Sequence, residues 1–387
     1  MKLNLIHTRL FLLAVLIAAS VSCVEEIPLE TEGFEEAIVI QGTITDEFKQ
    51  HQISLSETYP IATTGSNPLS GADVRVIGNS EFIFEETEAG TYVSRDSFAA
   101  ESGIDYQLKI AVNGQEYESE PMPLTESGQI EKLEANRIDF KGENGVAITL
   151  SNETTAGSSN FYRYEYTETF KFNSNFFKSR DLIVEGGEIV EVPKQKEEYT
   201  CYRTDESQDI ILANTNSLSE NSVKNLFITF INSDDPKLSN RYSILVKQYA
   251  ISRGAYSYFS ILEELSGTEN VFSQSQPGFF AGNISNINNP DEKIIGYFDV
   301  SAVSTQRLYF NFEDFYAQGT ERPKFVALEN CETLSFEVPI LKNQIQQNAV
   351  RWSRTNPGEI PSYEVVPRRC VDCTVFGTNQ RPEFWED

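Results

Sequence analysis

Phe161-Tyr162-Arg163-Tyr164-Glu165-Tyr166-Thr167-Glu168-Thr169-Phe170-Lys171-Phe172 is the stretch that decides the fold. Aromatic and polar residues alternate along it with a period of two, the signature of a half-buried β-strand, and it is long enough for a hairpin arm. Tyr162, Tyr164 and Tyr166 share one face, and Phe161 lies on the other.

Outward from this strand the pattern stays β. Val146–Leu150, Asn225–Asn232 and Arg241–Ile251 predict further strands, and Gly186-Gly187 marks a turn. One amphipathic helix is predicted near 253–266. Ser252 is placed to cap it, Ala255, Tyr258, Phe259, Leu262 and Leu265 fall on one side, and Gly267 ends it at the C′ position. Ile294–Val300 and Arg307–Phe312 return to strand, residues 313–330 are polar and loop-like, and the chain from Cys331 looks irregular and tied by disulfides.

Toward the N-terminus, seven or so short strands crowd into about ninety residues, from Ala37–Thr45 to Gln115–Ser119, which is β-sandwich spacing. Asn113-Gly114 is a type I′ hairpin signal. Pro121-Met122-Pro123 closes the unit, because two prolines so close cannot sit inside a sheet. The expected organisation is mainly β, with a sandwich over 34–124 and a larger β-rich domain with one amphipathic helix over 125–387.

The chain opens with Lys2 and Arg9 and an apolar run, Leu10–Ala19, too short to span a bilayer core of about 30 Å. Ser20-Val21-Ser22-Cys23 then has the form of a lipoprotein processing site, although Ser20 stands where a leucine is usual. Residues 1–22 are thus expected to be a cleaved signal peptide, Cys23 the lipidated first residue and 23–33 a tether. At about 0.8 kcal/mol per buried methylene, two or three long acyl chains anchor a protein essentially permanently.

Removal of residues 1–22 leaves 29 basic residues against 58 acidic ones, a formal charge of −29. Such a field repels phosphate, so nucleic acid is excluded as a natural partner, and it repels anionic lipid headgroups, so the acyl chains must supply the membrane attachment. With 40 % hydrophobic and 12 % aromatic residues the chain still carries enough apolar mass for a folded core.

Cys201, Cys331, Cys370 and Cys373 remain after lipidation of Cys23. An even number in an exported chain points to structural disulfides, with three pairings open. Cys370-Val371-Asp372-Cys373 lacks the βαβ setting of a redox pair, and no second close pair completes a four-cysteine zinc site.

Catalytic chemistry has little to work with. His51 is the single histidine after the signal, so a multi-histidine metal centre is excluded within one chain, and any Ser-His or Cys-His nucleophile must use His51. Paired carboxylates suffice for glycoside hydrolysis, but no pair stands out among 58 acids. Calcium suits an acidic extracellular chain better than zinc does. Asp234-Asp235 and Asn289-Pro290-Asp291-Glu292 are its loop candidates, neither has EF-hand spacing, and no metal or cofactor is expected. The candidate contacts for a ligand or partner are aromatic: Tyr162, Tyr164, Tyr166, Tyr256, Tyr258, Phe279 and Phe280. Exposed, these rings stack on a sugar or peptide; buried, they fill the core of a β-rich domain, which is the commoner fate of any one of them.

Two resemblances add expectations. The order Gly42-Thr43-Ile44-Thr45-Asp46, Leu69-Ser70-Gly71-Ala72-Asp73-Val74, Gly90-Thr91-Tyr92 and Gly103-Ile104-Asp105-Tyr106-Gln107-Leu108 resembles a transthyretin-like, carboxypeptidase-regulatory-like domain, which implies a spacer or interaction module. Arg241–Tyr249 with Ala255–Phe259, Gly282-Asn283-Ile284, Asn289-Pro290, Ile295-Gly296-Tyr297-Phe298 and the ending Cys370–Cys373 with Arg381–Trp385 resemble the Bacteroidota lipoprotein family catalogued as domain of unknown function 4249, over nearly the whole mature chain. Cys23-Val24-Glu25-Glu26 is similar to the acidic tag of outer-leaflet lipoproteins in that group. The resemblance implies a surface-exposed outer-membrane protein, non-enzymatic, that captures cargo for a TonB-dependent transporter or caps it. A freestanding adhesin is the alternative, and an acid-pair glycoside hydrolase a distant third.

Overall fold

In the computed structural model, residues 37–58, 67–153, 159–216, 221–267, 282–358 and 362–387 are described. The first nine strands are β1 (Ile38–Thr45), β2 (Gln52–Glu57), β3 (Asn67–Pro68), β4 (Asp73–Ile77), β5 (Glu81–Glu88), β6 (Thr91–Ser94), β7 (Asp105–Val112), β8 (Gln115–Ser119) and β9 (Met122–Pro123). Next come β10 (Gln129–Phe140), β11 (Glu143–Glu153), β12 (Phe161–Asn173), β13 (Arg180–Glu185), β14 (Glu188–Pro193), β15 (Thr200–Glu206), β16 (Ile211–Asn214), β17 (Leu226–Asn232) and β18 (Arg241–Ala250). Helix α1 (Arg253–Gly267) precedes β19 (Ile284–Asn286), β20 (Ile294–Ser301) and β21 (Val303–Asn311). The chain ends through β22 (Leu334–Ser335), helix α2 (Val338–Gln346), β23 (Val350–Asn356) and β24 (Ser362–Pro367).

The first sheet has the order β19-β8-β7-β4-β5-β6-β2-β1-β20 and rolls on itself in a sandwich or barrel-like arrangement. β5 turns the corner: its first half pairs with β4, and its second half, from Phe84 onward, pairs with β6. Ile40, Ile44, Ile53, Leu55, Val74, Val76, Tyr92, Tyr106 and Leu108 point inward, as strict alternation demands. Asn113 and Gly114, with φ of 51° and 75°, make the expected β7–β8 turn.

This sheet is not confined to residues 34–124. β20 runs parallel to β1 from Ile38↔Ile294 to Thr45↔Ser301, and β19 pairs with β8. Ile284, Ile294, Phe298 and Val300 belong to the first core. A strand that must pair in parallel needs a long crossover connection, and such a partner is invisible to a reading that groups neighbouring strands. Asn283 closes the roll: its amide donates to the Phe298 carbonyl and accepts from the Phe298 N–H, both at 2.8 Å, while its own carbonyl takes the Glu120 N–H.

A second sandwich packs β10-β11-β17 against β15-β12-β18-β21, with β16 also on β12. Its core holds Val146, Ile148, Tyr164, Phe170, Phe172, Tyr242, Ile244 and Phe310. The quoted stretch is one continuous strand, and Gly186-Gly187 forms the β13–β14 turn. Ser252 caps α1, accepting from the Ala255 N–H at 3.1 Å, and Gly267 is the last helical residue instead of the one after it.

Beyond Cys331 the chain is ordered, not irregular. β22, β24 and β23 form a small sheet, and α2 and the β13–β14 hairpin cover it around Leu182, Leu341, Val350 and Val365. α2 is a second helix that sequence periodicity misses, because only Leu341 is buried on it and Val338 and Ile340 face outward. The disulfides are Cys201–Cys373 and Cys331–Cys370. Their sequence separations of 172 and 39 residues correspond to about 5 and about 4 kcal/mol on the chain-entropy model.

Candidate functional site

The parity of β12 settles which of its faces is inside. Tyr162 and Tyr164 are 0 % and 1 % exposed, and Tyr166 packs partly buried against the same core. Tyr164 donates to Gln248 at 3.0 Å, and Tyr166 to Thr229 at 3.3 Å. This corrects the expectation of ligand contact at Tyr162 and Tyr164, whose rings are the filling between two sheets. The outward face of the same strand carries Arg163 and Glu165 instead, and cross-strand register sets Tyr249 opposite Arg163 and Lys247 opposite Glu165.

That outward face forms one wall of a cleft of about 670 Å³ between the two sandwiches. Gln41, Thr43, Gln52 and Ser54, pointing outward from β1 and β2, form the opposite wall. Tyr258, Phe259 and Leu262 of α1 and Tyr297 of β20 complete it. The helix is held at this junction by the Ser252 cap and by Gly254, where a Cβ would lie 2.3 Å from the Tyr297 hydroxyl. Asp46, just after β1, accepts the Val303 N–H at 2.8 Å and ties the two bodies beside the cleft.

Arg163 is fixed on the floor. Its guanidinium lies 4.6 Å from the Tyr249 ring centre and 4.9 Å from that of Phe259, and it pairs with Glu165, whose other oxygen accepts from the Tyr249 hydroxyl at 2.9 Å. Burial pushes the Glu165 carboxyl up, but the Arg163 charge and the Tyr249 hydrogen bond outweigh it and hold the group below its ordinary value. Burial also raises Tyr249, and it raises Tyr258 to about 12, so both hydroxyls stay protonated.

His51 borders the cleft at 1 % exposure, with Nε2 3.0 Å from the Phe98 carbonyl and its ring 4.6 Å from that of Phe98. Because a carbonyl only accepts, Nε2 carries the proton. Burial pushes its pKa down to about 4, which leaves a neutral ring packed in the core. Tyr256 packs on Phe161 at 5.1 Å in a small cluster under the helix, and Tyr258 reaches the cleft. Cys23, Phe279 and Phe280 lie outside the described residues.

At the calcium candidates, Glu292 and Asp235 are engaged within the protein. Glu292 accepts from Tyr117 at 2.9 Å and from Asn286, and the Asn286 side-chain Oδ1 accepts the N–H groups of Asn288 and Asn289. Asp235 caps a 3₁₀ turn at Lys237. Among the described residues no group of three or more His, Cys, Asp or Glu side chains is placed to hold a metal. Cys370 and Cys373 join different disulfides, so they are not a redox pair with each other. Between them Asp372, fully buried, accepts from Arg351 at 2.9 Å, Arg368 at 2.6 Å and the Thr374 N–H at 2.9 Å. Burial opposes the charge, but the hydroxyl and N–H of Thr374 and the Arg368 guanidinium outweigh it and hold Asp372 below its ordinary pKa, so the motif is a structural knot.

The fold and cleft define a mainly β protein with a groove at the junction of two sandwiches. The chain belongs to the family described as Domain of unknown function (DUF4249), whose profile matches residues 24–307. The match stops short of the C-terminal lobe, so it covers less than the nearly full-length resemblance expected from the sequence. None of the curated proteins searched matches the chain. Among the described residues no helix is long and apolar enough to cross a membrane.

Proposed function

We propose that this chain is a lipid-anchored, surface-exposed outer-membrane protein that binds cargo in the junction cleft as a non-enzymatic accessory to a TonB-dependent transporter. The observation that carries the binding half of this reading is the cleft itself. Its volume lies in the range typical of small-molecule sites, and it combines an aromatic wall with a few placed polar groups. Its described lining holds one carboxylate, Glu165, already committed to Arg163 and Tyr249, whereas acid-pair hydrolysis needs two.

The membrane half rests on Ser20-Val21-Ser22-Cys23 and on the family resemblance. From Cys23 to Ala37 the chain spans at most about 50 Å. β1 then runs toward Asp46, which touches the second sandwich, and this supports a reading of the first sheet as the spacer nearer the bilayer. A transthyretin-like identity for that spacer belongs to the same proposal. Affinity purification of the full-length chain from detergent-solubilised outer membranes is expected to recover one TonB-dependent barrel in near-stoichiometric amount. Recovery of no barrel counts against the accessory role and favours a freestanding adhesin.

A further inference from the structure

The two walls of the cleft also specify what kind of cargo fits, an inference that rests on the cleft being the cargo site. β1 is paired on both sides, by β2 and β20, and β2 is paired by β1 and β6. Their backbone N–H and C=O groups are therefore spent in the sheet, and an extended peptide finds no edge on β1 or β2 to which it can add as a strand. Recognition on this wall falls to side chains. Gln41 and Thr43 on β1 and Gln52 and Ser54 on β2 point into the cleft, and within the protein nothing among the described residues takes up the Gln41 amide or the Thr43 hydroxyl. Each of these groups both donates and accepts.

The charges in the lining are already matched. Arg163 is paired with Glu165 and stacked between two rings, and Lys49 is paired with Glu47. An anionic ligand would have to compete with Glu165 for Arg163, and a cationic one would have to compete with Arg163 for Glu165. Phe259, packed on Arg163 across from that wall, and Tyr297, next to Gln41 on the same sheet face, offer half-buried apolar ring surface. We infer that the cleft takes a neutral, hydroxyl-rich ligand, a short neutral oligosaccharide. Sugar hydroxyls donate and accept in turn, as the Gln and Thr side chains do, and the C–H faces of sugar rings pack on aromatic rings.

The full mature chain in detergent is to be titrated by calorimetry with short neutral hexose oligosaccharides, with galacturonic acid oligomers and with hexapeptides. At least one neutral oligosaccharide binds, more tightly than any acidic sugar or peptide. The double variant Gln41→Ala, Gln52→Ala weakens that binding at least tenfold without lowering the melting temperature, while Gln346→Ala, at a separate cavity under the β13–β14 hairpin, leaves it unchanged. Binding of none of the neutral sugars, tighter binding of an acidic sugar or a peptide, or an unchanged affinity in the double variant overturns the inference. Loss of the transporter in affinity purification leaves this titration untouched, so the two readings fail separately.

Discussion

Tyr162 and Arg163 are neighbours with opposite fates, and one residue of parity separates them. Alternation was legible in Phe161–Phe172, but a period of two does not say which face is inside. The charged face turned outward because two ion-paired side chains stay solvated at a cleft, whereas three tyrosines fill a gap between sheets. His51 illustrates the same limit, since its surroundings come from Phe98, forty-seven residues away. Its pKa of about 4 in the fold lies below the ordinary value of 6.5. The stability linked to its neutral ring is therefore fully present above pH 6.5 and is lost as pH falls through about 4, to the extent of about 3 kcal/mol. Urea unfolding at pH 7 and pH 4 is expected to show His51→Gln losing about 2–3 kcal/mol less on acidification than the unaltered chain. Equal losses would show that His51 is not the buried neutral base described.

At the scale of elements, the closure of the first sheet is the feature on which the cleft depends. Gly282 and Gly296 sit back to back: a Cβ on Gly282 would lie 1.5 Å from the Gly296 carbonyl oxygen, and one on Gly296 would lie 2.2 Å from that of Ile40. Backbone has no room to give there, so Gly282→Ala is expected to destabilise by about 3 kcal/mol or more through overpacking. Asn283→Leu removes both bonds to Phe298 and leaves buried backbone groups unpaired, at a cost of about 2–4 kcal/mol. Thermal melts of the two variants check this, and values near the unaltered chain's would mean that β20 is held by other contacts. Strands such as β11, β12, β17, β18, β20 and β21, the Asn113-Gly114 turn and the Ser252 cap were written in local sequence, whereas β10, β15 and the strands beyond Cys331 were not. The pairing of β1 with β20 was not, because a parallel partner some 250 residues distant leaves no local signal. α2 escaped for a different reason: its one-residue buried stripe is too narrow to give a helical period.

At the scale of the whole molecule, the two bodies are not independent beads. The first core takes Ile284, Ile294, Phe298 and Val300 from beyond α1, so a fragment ending at residue 124 lacks β20 and β19 and exposes the β1 ladder. Residues 24–124 alone are expected to lack dispersed amide signals in NMR, and a peptide covering 282–302 is expected to restore them. A well-dispersed spectrum from the fragment alone would make the first sheet autonomous. The cleft lies on the folded body, and the proposed membrane attachment rests on the N-terminal segment alone. Mass spectrometry of the N-terminal peptide from purified outer membranes is predicted to find Cys23 as the first residue, carrying the mass of two or three acyl chains. An unacylated terminus on protein recovered from the culture medium would contradict the account.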